Sequence, residues 1–249
     1  MEFSNSEVFN FEGAFRGMRN PMNSWDKSDS VFGVMPLDNL IGEISGLVYN
    51  DELNKVDEEK FEEYCDKATI KYYDYDEVAE IALIGPNDMK LAHMLINGGS
   101  EHCKFLRQIM VSVDITAPIF YWSEFDTYKI GTTANSCSTM HKLHSEDITI
   151  NSFEQSGLES KYLENKLIPY LKELQKKYNE TKDIKFFREM KCILPSSWLQ
   201  KRTWTANYEV LRNMIHQRKN HRLREWNEDF IDWCKSLPYA EELLFYKND

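Results

Sequence analysis

The sequence predicts a helix-rich α+β fold with one segment of sheet near the middle of the chain. Several segments repeat apolar residues at intervals of three and four, which is the spacing of an amphipathic helix. One run rich in β-branched residues, 104–120, is typical of strand. The chain has 249 residues, 42% of them hydrophobic, and this is enough to bury a sizeable core in a single domain.

Residues 1–85 are the first part of this predicted domain. Residues 1–40 are rich in Asn, Ser, Gly and Pro, so we expect mainly loop there. Residues 51–66, DELNKVDEEKFEEYCD, predict an acidic helix, and an aromatic stretch follows at 70–84. We expect residues 1–85 to form a variable N-terminal part and residues 86–249 to form the core of the same domain.

The segment GPNDMKLAHMLINGGS, residues 85–100, has the pattern of a helix. Asn87 or Asp88 can cap its start, because a short polar side chain accepts hydrogen bonds from the first backbone N–H groups. Gly98–Gly99 can end it. The β-branched run KFLRQIMVSVDITAPIF, residues 104–120, follows and predicts the strand.

Three later segments predict further helices. Residues 156–180 form the longest, with Pro169 as a kink or a start. Residues 184–195 predict a shorter helix that stops at Pro195. The segment TANYEVLRNMIHQRKNH, residues 205–221, follows, and EWNEDFIDWCKSL lies near the end of the chain.

Composition and charge argue against several classes of function. The net charge is −11, whereas a protein that binds duplex DNA needs a basic stripe. No apolar run is long enough to span a bilayer, and no secretory signal is visible. The five cysteines are scattered and form no C-x-x-C pair, so we expect reduced thiols in a cytoplasmic protein. Residues 201–224 are locally basic, which suits either a solvated helix face or a small anionic ligand such as a nucleotide.

Two polar residues lie in unexpected places in the helix predicted for residues 205–221. On a helical wheel, Asn207 and Arg218 fall inside the apolar arc rather than on the wet face. One interpretation is that a cofactor and a substrate fill the space that they face. The other is a buried Asn bonded to backbone and a helix-end Arg paired with a carboxylate.

Familiar catalytic motifs are absent. The sequence has no G-x-G-x-x-G, no Walker A motif and no G-x-S-x-G elbow. His141 and His144, with Glu146 nearby, have the spacing of half a metal site, but no second ligand pair has standard spacing, so we expect no metal. Cys137 in NSCST can be a nucleophile, although a small buried thiol is the commoner role.

Two blocks of the sequence carry a pattern that points to a family. They are APIFYWSEFDTYKIGTTANSCSTMHKL, residues 117–143, and LPSSWLQKRTWTANYEVLRNMIHQRKNHRLREW, residues 194–226. They resemble the flavin-dependent thymidylate synthases, the ThyX family. That family has an A-P-I-F-like run, then R-H-R and S-x-N-E-x-S-x-R-Y, and later L-P, N-A-R-x-x-x-N-x-x-x-x-R and Q-W-E. The resemblance fades over residues 1–85 and implies a ThyX-like fold with a central antiparallel sheet segment and long helices.

The second block implies roles for the helix at residues 205–221. Asn207 and Asn213 fall on family positions that hold the flavin. Arg218 falls on the position that binds and polarises the pyrimidine, whose ring gains negative charge during attack. His221 (or its neighbour Arg222) lies near a family histidine and is a further cofactor-binding candidate. The shared spacing favours the functional interpretation of Asn207 and Arg218.

The first block implies a modified flavin site. The R-H-R positions are Thr127, Tyr128 and Lys129 here, and Ile130 follows as in the family. Tyr128 can stack on the isoalloxazine or the adenine ring, which would be a different way of holding FAD. Asn135 matches the family Asn and is a cofactor-binding candidate.

The same block implies a modified nucleotide site. Ser138 matches the family Ser, Ser136 replaces the family Glu, and Glu124 stands where some members use Gln near the nucleotide. Two phosphate-binding Arg positions are Met140 and Cys192 here. Losing two charged hydrogen-bond donors removes about 3–6 kcal/mol, roughly a hundred- to ten-thousand-fold in affinity. Candidates to replace these donors are Lys129, Lys142, Arg188, Lys191 and Arg202.

The resemblance implies an enzyme that methylates dUMP, or a related pyrimidine nucleotide, reductively. FAD would be the cofactor, NADPH and methylenetetrahydrofolate the co-substrates, and the assembly a homotetramer whose subunits share active sites. The alternative is a ThyX-fold protein that has lost catalysis and serves as a nucleotide- or flavin-binding or interaction module. The changed R-H-R, Glu and Arg positions are what this alternative predicts.

Overall fold

The structure, a computed structural model, describes residues 1–50, 55–73, 78–155 and 157–247. The start of the predicted acidic helix, 51–54, and part of the aromatic stretch, 74–77, lie outside the described residues. The fold is α+β, as predicted. None of the helices within the described ranges is long and apolar enough to cross a membrane.

The strands form a four-stranded sheet of order β1-β7-β9-β8, a three-stranded sheet of order β2-β6-β5 and the pair β3-β4. Both β2 and β5 run antiparallel to β6, and β3 runs antiparallel to β4. The strands are β1 Glu2–Phe9, β2 Val31–Pro36, β3 Tyr49–Asn50, β4 Lys55–Val56, β5 Thr69–Tyr73, β6 Val78–Leu83, β7 Met110–Pro118, β8 Thr133–Ser136 and β9 Leu199–Asn207.

Helices make up most of the remaining chain. The α-helices are α1 Phe11–Arg19, α2 Leu37–Leu47, α3 Glu58–Ala68, α4 Pro86–Asn97, α5 Ile119–Phe125, α6 Thr139–Lys142, α7 Ser160–Tyr162, α8 Ile168–Thr181, α9 Ile184–Ile193, α10 Tyr208–Arg218 and α11 Ile231–Lys235. The 3-10 helices are Asn20–Met22, Trp25–Lys27, Cys103–Arg107 and Ile150–Ser152. The π-helical turns are Leu163–Leu167, Glu225–Phe230 and Ala240–Leu244.

The chain divides into two compact units. None of the boundaries between them falls at residue 85, where the sequence analysis divides the variable part from the core. The first unit consists of Met1–Asn5 and Val113–Trp204. The second unit consists of Ser6–Ser112 and Thr205–Asp249. The distinction between a variable part, 1–85, and a core, 86–249, stays a prediction about sequence.

In the first unit, α8 and α9 bury their apolar faces in one core. Leu171 and Leu174 of α8 pack with Phe187 and Met190 of α9, and all four side chains are buried. Pro169 is the second residue of α8, and its missing N–H removes one hydrogen bond from a helical chain that begins before it. The π-helical turn Leu163–Leu167 precedes it, so the helix predicted for 156–180 is confirmed in its second half and irregular before Pro169.

In the second unit, α2 and α3 cover the three-stranded sheet. Leu40 and Ile44 of α2 pack with Ala68 of α3 and with Ile81 and Leu83 of β6. The acidic helix predicted for 51–66 is confirmed only from Glu58, where α3 begins, because Lys55–Val56 form β4. The charged residues of α3 are exposed, except for the half-buried Lys67. A second group of aromatic rings belongs to the same unit: Phe11 makes edge-to-face contacts with Tyr208 and Tyr239 at 5.8 and 5.9 Å between centroids.

The expectation of loop over residues 1–40 was wrong. β1, α1, β2 and the start of α2 lie there. The glycines of α1 suggested loop, but Phe11, Ala14, Phe15 and Met18 form one buried face of that helix. The burial of this face outweighs the weak helix propensity of glycine, which costs about 1 kcal/mol per residue.

The helix at residues 85–100 is confirmed as α4, but its start is built differently from the prediction. Gly85 occupies the cap position, and the carboxylate of Asp29 accepts hydrogen bonds from the backbone N–H groups of Asn87 and Asp88. Asp88 instead lies buried and accepts from Arg19 Nε at 2.5 Å. A capping group from a distant loop leaves no mark in the local sequence.

The strand predicted for 104–120 is correct only in its central part. Cys103–Arg107 is a 3-10 helix, the strand is Met110–Pro118, and α5 begins at Ile119. In α5 the bulky residues Tyr121, Trp122 and Phe125 share one buried face, which is helical spacing. The apolar run therefore has the two-residue period of a strand up to Pro118 and the spacing of a helix from Ile119. The prediction recognised only the strand.

The helix predicted for 205–221 begins later than expected. Thr205–Asn207 belong to β9, and α10 starts at Tyr208. Trp204 and Ala206 are buried with more exposed neighbours between them, which is the alternation of a strand. Asn207 is consequently the residue before the first turn of α10 and has no place on its helical wheel.

Candidate functional site

A pocket in the first unit contains two of the predicted cofactor-binding residues. Its volume is about 370 Å³, which is at the lower end for small-molecule sites. The lining includes Phe125, Asp126, Tyr128, Lys129, Thr132 and Trp204. Aromatic surface and a lysine ammonium therefore meet in one cavity.

The loop after α5 holds Tyr128 and Lys129 at this pocket. The backbone N–H of Tyr128 donates to the carbonyl of Phe125 at 3.0 Å, which closes a turn at the end of the helix. The hydroxyl of Thr132 donates to the carbonyl of Tyr128 at 2.6 Å. Gly131 has a φ of +71°, in the left-handed region that favours glycine. These contacts leave Tyr128 half-buried and Lys129 exposed.

Arg202 lies near this pocket but is fully engaged. Its guanidinium lies over the ring of Trp122, 4.2 Å from the centroid, and its Nη1 donates to Asp126 at 2.6 Å. Its Nε donates to the side chain of Gln200 at 3.1 Å. Arg202 would lose these contacts if it turned to a phosphate, so it is the weakest of the replacement cations proposed from the sequence.

Three of the predicted site residues, Asn135, Ser136 and Ser138, lie on and after the edge strand β8. Glu124 lies on α5. Asn135 and Ser136 are exposed on β8. The hydroxyl of Ser138 accepts from the backbone N–H of Met140 at 3.2 Å and caps α6. Cys137 is exposed, contrary to the expectation of a small buried thiol. Its backbone is fixed to β9, since its N–H donates to the carbonyl of Lys201 at 2.9 Å.

A lysine lies close to the positions at which the family Arg residues are missing. Lys191 Nζ, on α9, donates to the hydroxyl of Thr139. Thr139 precedes Met140, and Lys191 precedes Cys192, so this bond joins the neighbours of the two altered positions. Lys191 is therefore bonded to the residue that lies between Ser138 and Met140 in the chain.

Another lysine of the first unit is held elsewhere. Lys201 pairs with Asp114 at 2.9 Å, and this bond raises the pKa of Lys201. Asp114 also accepts from Thr203 at 2.6 Å and from Asn5 at 3.0 Å. These hydrogen bonds, with that of Thr203 the largest influence, lower the pKa of Asp114 to about 2.

In the second unit, the candidate residues of α10 have three different environments. Asn207 is buried, and its side-chain oxygen accepts from the backbone N–H of Val210 at 3.0 Å. This bond agrees with the interpretation of Asn207 as a buried Asn bonded to the backbone. The side-chain nitrogen of Asn207 can still donate to another group. Asn213 is exposed on α10.

Arg218 and His221 lie around Trp226. The guanidinium of Arg218 lies over the Trp226 ring, 4.5 Å from its centroid, which is a cation–π geometry. The ring of His221 approaches Trp226 edge-on at 6.3 Å, and its Nδ1 accepts from the backbone N–H of Leu223 at 3.2 Å. Arg218 is half-buried, so part of its side chain is accessible.

The structure groups some predicted residues and leaves others apart. Tyr128 and Lys129 share one pocket. The described lining of that pocket does not include Glu124, Ile130, Asn135, Ser136 or Ser138. Sequence analysis missed the other six residues of its described lining, Phe125, Asp126, Thr132, Thr133, Ala134 and Trp204. Compared with the family pattern, the stretch GTTA, residues 131–134, contains one extra residue. This was an available signal, because it lengthens the loop that supplies Thr132.

The remaining candidates from the sequence are a metal site at His141 and His144 and the cysteine thiols. His144 contacts Tyr178 edge-on, at 5.5 Å between the ring centroids. Within the described ranges, no group of three or more His, Cys, Asp or Glu side chains is arranged to hold a metal ion. The five cysteines, at positions 65, 103, 137, 192 and 234, are all free thiols.

Known proteins resemble this chain in structure, but no family model or curated sequence matches it. No protein-family model matches the chain, and no curated protein sequence matches it either. A crystal structure of the flavin-dependent thymidylate synthase ThyX from Helicobacter pylori, complexed with FAD and dUMP, has a TM-score of 0.59 with 16% identity over 98% of both chains. A second crystal structure of that protein with FAD and dUMP has a TM-score of 0.58, over 98% of this chain and 97% of the other. The chain has the fold of the flavin-dependent thymidylate synthases, as the resemblance implied.

Proposed function

We propose that this chain binds a flavin and a pyrimidine nucleotide and catalyses reductive methylation of dUMP or a related pyrimidine nucleotide. Likeness of fold to a ThyX protein complexed with FAD and dUMP, over nearly the whole of both chains, carries the proposal. A bound flavin, reduced by NADPH, would supply hydride, and methylenetetrahydrofolate would supply the methylene group. The chain's own residues bind and orient these groups.

The pocket at Tyr128 and Lys129 fits part of a flavin nucleotide. Its volume of about 370 Å³ suits one ring system with an attached phosphate better than a whole dinucleotide. Tyr128 provides a ring for stacking, and Lys129 provides an ammonium for a phosphate. Because one Lys stands where the family has two Arg, we expect FAD to bind more weakly than in the family.

Lys191 is the residue that we assign to the nucleotide phosphate. Its ammonium already donates to Thr139, beside Ser138, so a phosphate there meets a cation and two hydroxyls. A Lys ammonium is a single point of charge, whereas two Arg offer several fixed donors. The change therefore favours a nucleotide whose phosphate is held less rigidly than dUMP is held in the family.

In the second unit, three residues of α10 and its cap are our further candidates for binding the pyrimidine and the flavin. Arg218, whose guanidinium lies over Trp226, would bind and polarise the pyrimidine. Asn213 would hold the flavin by hydrogen bonds from its exposed amide. Asn207 would contribute only its amide nitrogen, because its oxygen caps α10. We also propose a homotetramer, in which a neighbouring subunit can supply a cation that a single chain lacks.

One observation favours a second candidate function, a flavin- or nucleotide-binding module without catalysis. The stretch Thr127–Tyr128–Lys129 keeps a pocket but has lost the two Arg of R-H-R. Such a protein would bind its ligands and show no turnover. The two candidates therefore differ in reduction and product formation, and both require binding.

The test is a visible absorbance spectrum of the purified protein, as isolated and after addition of FAD and desalting. About one flavin per chain, bleached by NADPH, supports the proposal, and dTMP formation from dUMP and methylenetetrahydrofolate then separates the enzyme from the module. A colourless protein that retains no FAD contradicts the enzyme and the flavin-binding form of the module. Analytical ultracentrifugation reports whether the protein is a tetramer.

The variant Lys129→Met tests the pocket, with Lys161→Met as its matched control. Both lysines are exposed residues of the first unit, and Lys161 is absent from the described lining of the pocket. Loss of one charged hydrogen bond, about 1.5–3 kcal/mol, weakens FAD binding roughly ten- to a hundredfold. Equal affinities for FAD in the two variants would remove Lys129 from the site.

A further inference from the structure

A stripe of basic side chains runs along one face of α10, and none of them is assigned to the site proposed above. Arg212, His216 and Lys219 follow one another at intervals of four and three residues, so they share a face of the helix. From Arg212 to Lys219 the stripe is about 10 Å long, because a helix rises about 1.5 Å per residue. The stripe is the part of the basic segment 201–224 that has helical spacing.

Arg212 has donors that the chain itself leaves unpaired. Its Nη1 donates to the carbonyls of Leu243 and Leu244, at 3.3 and 3.0 Å. Its Nε and Nη2 have no partner among the described residues, and neither atom is buried, so both face solvent. Arg212 as a whole is half-buried, and burial lowers its pKa. A guanidinium that has lost part of its water is usually paired with a carboxylate or a phosphate.

Three further basic side chains belong to the same cluster. Burial lowers the pKa of His216 most, and three nearby positive charges lower it further. They belong to Arg212, Lys219 and Lys247. Lys247 follows Leu244, whose carbonyl Arg212 holds, by three residues. We call Arg212, His216, Lys219 and Lys247 the α10 cation cluster, and none of the four forms an ion pair with a carboxylate in the described part of the chain.

Helix termini neutralise only part of this charge. A helix C-terminus carries at most about −0.5 charge, and two of them lie at the cluster, the ends of α10 and of the π-helical turn Ala240–Leu244. Together they offset about one of the three positive charges that remain when His216 is neutral. A surplus of about two positive charges is therefore left on a chain whose net charge is −11.

We propose that the α10 cation cluster binds a di- or triphosphate group. The planar fork of Arg212 offers Nε and Nη2 as a bidentate pair to one phosphate. The stripe is longer than a single phosphate, and the flexible ammonium groups of Lys219 and Lys247 can reach a second or third one. No member of the cluster is assigned to the flavin or to the pyrimidine nucleotide, so this proposal does not rest on the function proposed above.

Titration calorimetry of the whole protein with inorganic tripolyphosphate tests the proposal, and potassium chloride keeps the ionic strength constant. We expect saturable binding of tripolyphosphate and binding of inorganic phosphate that is weaker by about tenfold or more, because one phosphate cannot contact the whole stripe. The pKa of His216, followed by NMR of its ring protons, should rise in the complex, since the anion offsets the neighbouring positive charges.

Two double variants locate the site. Lys219→Met/Lys247→Met removes two exposed ammonium groups and leaves the bonds of Arg212 in place, so the protein should keep its circular dichroism spectrum. Its affinity for tripolyphosphate should fall roughly tenfold or more. Lys27→Met/Lys161→Met removes the same charge from exposed lysines on other elements and should bind like the wild type.

Four results would overturn the proposal. They are the absence of saturable binding to the wild-type protein, equal losses in the two double variants, equal affinities for phosphate and tripolyphosphate, and an unchanged pKa of His216. A further variant, Lys191→Met, separates this site from the one proposed for the pyrimidine nucleotide. Loss of binding in Lys191→Met with full binding in Lys219→Met/Lys247→Met would assign the anion to the nucleotide site and would likewise overturn the proposal.

Discussion

The role of Asn207 can be separated into a structural and a ligand-binding part by two substitutions. Asn207→Ala removes the oxygen that accepts from the backbone N–H of Val210 at 3.0 Å. Loss of such a cap costs about 1 kcal/mol, within a range of roughly 0.5–2. For a chain of this length, 1 kcal/mol corresponds to a fall in Tm of about 2–4 °C. Asn207→Ser keeps an acceptor at the cap, so we expect its Tm to stay close to that of the wild type.

Thermal unfolding followed by circular dichroism measures this difference, and FAD titration of the same variants measures the other role. If the amide nitrogen of Asn207 holds the flavin, Asn207→Ser weakens FAD binding as much as Asn207→Ala, although only the alanine variant loses stability. Asn213→Ala is the matched control, because Asn213 is exposed on the same helix and caps nothing. The free energy of unfolding of Asn213→Ala should differ from that of the wild type by no more than about 0.5 kcal/mol, the usual change for a surface substitution.

Two results would refute the reasoning about the cap. One is a Tm of Asn207→Ala equal to that of the wild type. The other is an equal loss of Tm in the serine and alanine variants, since serine and asparagine are similar N-cap residues. Unchanged FAD affinity in all three variants would remove Asn207 and Asn213 from the proposed flavin site and leave the cap as the established role of Asn207.

Two further predictions concern stability. Asp88→Ala leaves the guanidinium of Arg19 buried without its carboxylate partner, so we expect the free energy of unfolding in urea to fall by about 3–5 kcal/mol. Arg16→Ala, which breaks an exposed ion pair, should cost about 1 kcal/mol or less. Similar losses in the two variants would contradict the larger contribution that we assign to the buried pair. The pKa of Asp114 is lowered from 3.8 to about 2, so its contribution to stability is present above pH 3.8 and is lost as the pH falls towards 2. Asp114→Asn should flatten the acid unfolding curve in that interval, and an unchanged curve would contradict the assignment.

Periodic segments were predictable because their signal lies within a few residues. α4, the second half of the helix at 156–180 and α9 each repeat apolar side chains on one face, and the β-branched centre of β7 is strand. The pattern of the two family-like blocks also indicated a ThyX-like fold, although the identity to the H. pylori structures is 16%. Fold can persist at this identity because it depends on the placement of apolar residues more than on their kind.

The errors arose where long-range contacts outweigh local pattern. The helix α1 contains two glycines and is held by burial of its aromatic face, which the sequence of residues 1–40 did not reveal. Asp88 looked like a local cap, and its partner is Arg19, 69 residues away in the chain. Such a pair forms only when folding brings the two residues together.

The sequence by itself indicated the fold class and the positions of the longer helices, because apolar spacing over three or four positions is a local signal. The candidate residues came from the resemblance of two blocks to the flavin-dependent thymidylate synthases. Tertiary structure alone decided which candidates share a pocket with Tyr128, that Arg218 stacks over Trp226, and that Asn207 caps α10. Trp204 shows the reason: its burial beside Phe125 depends on a strand and a helix that are distant in sequence and meet only in the folded first unit.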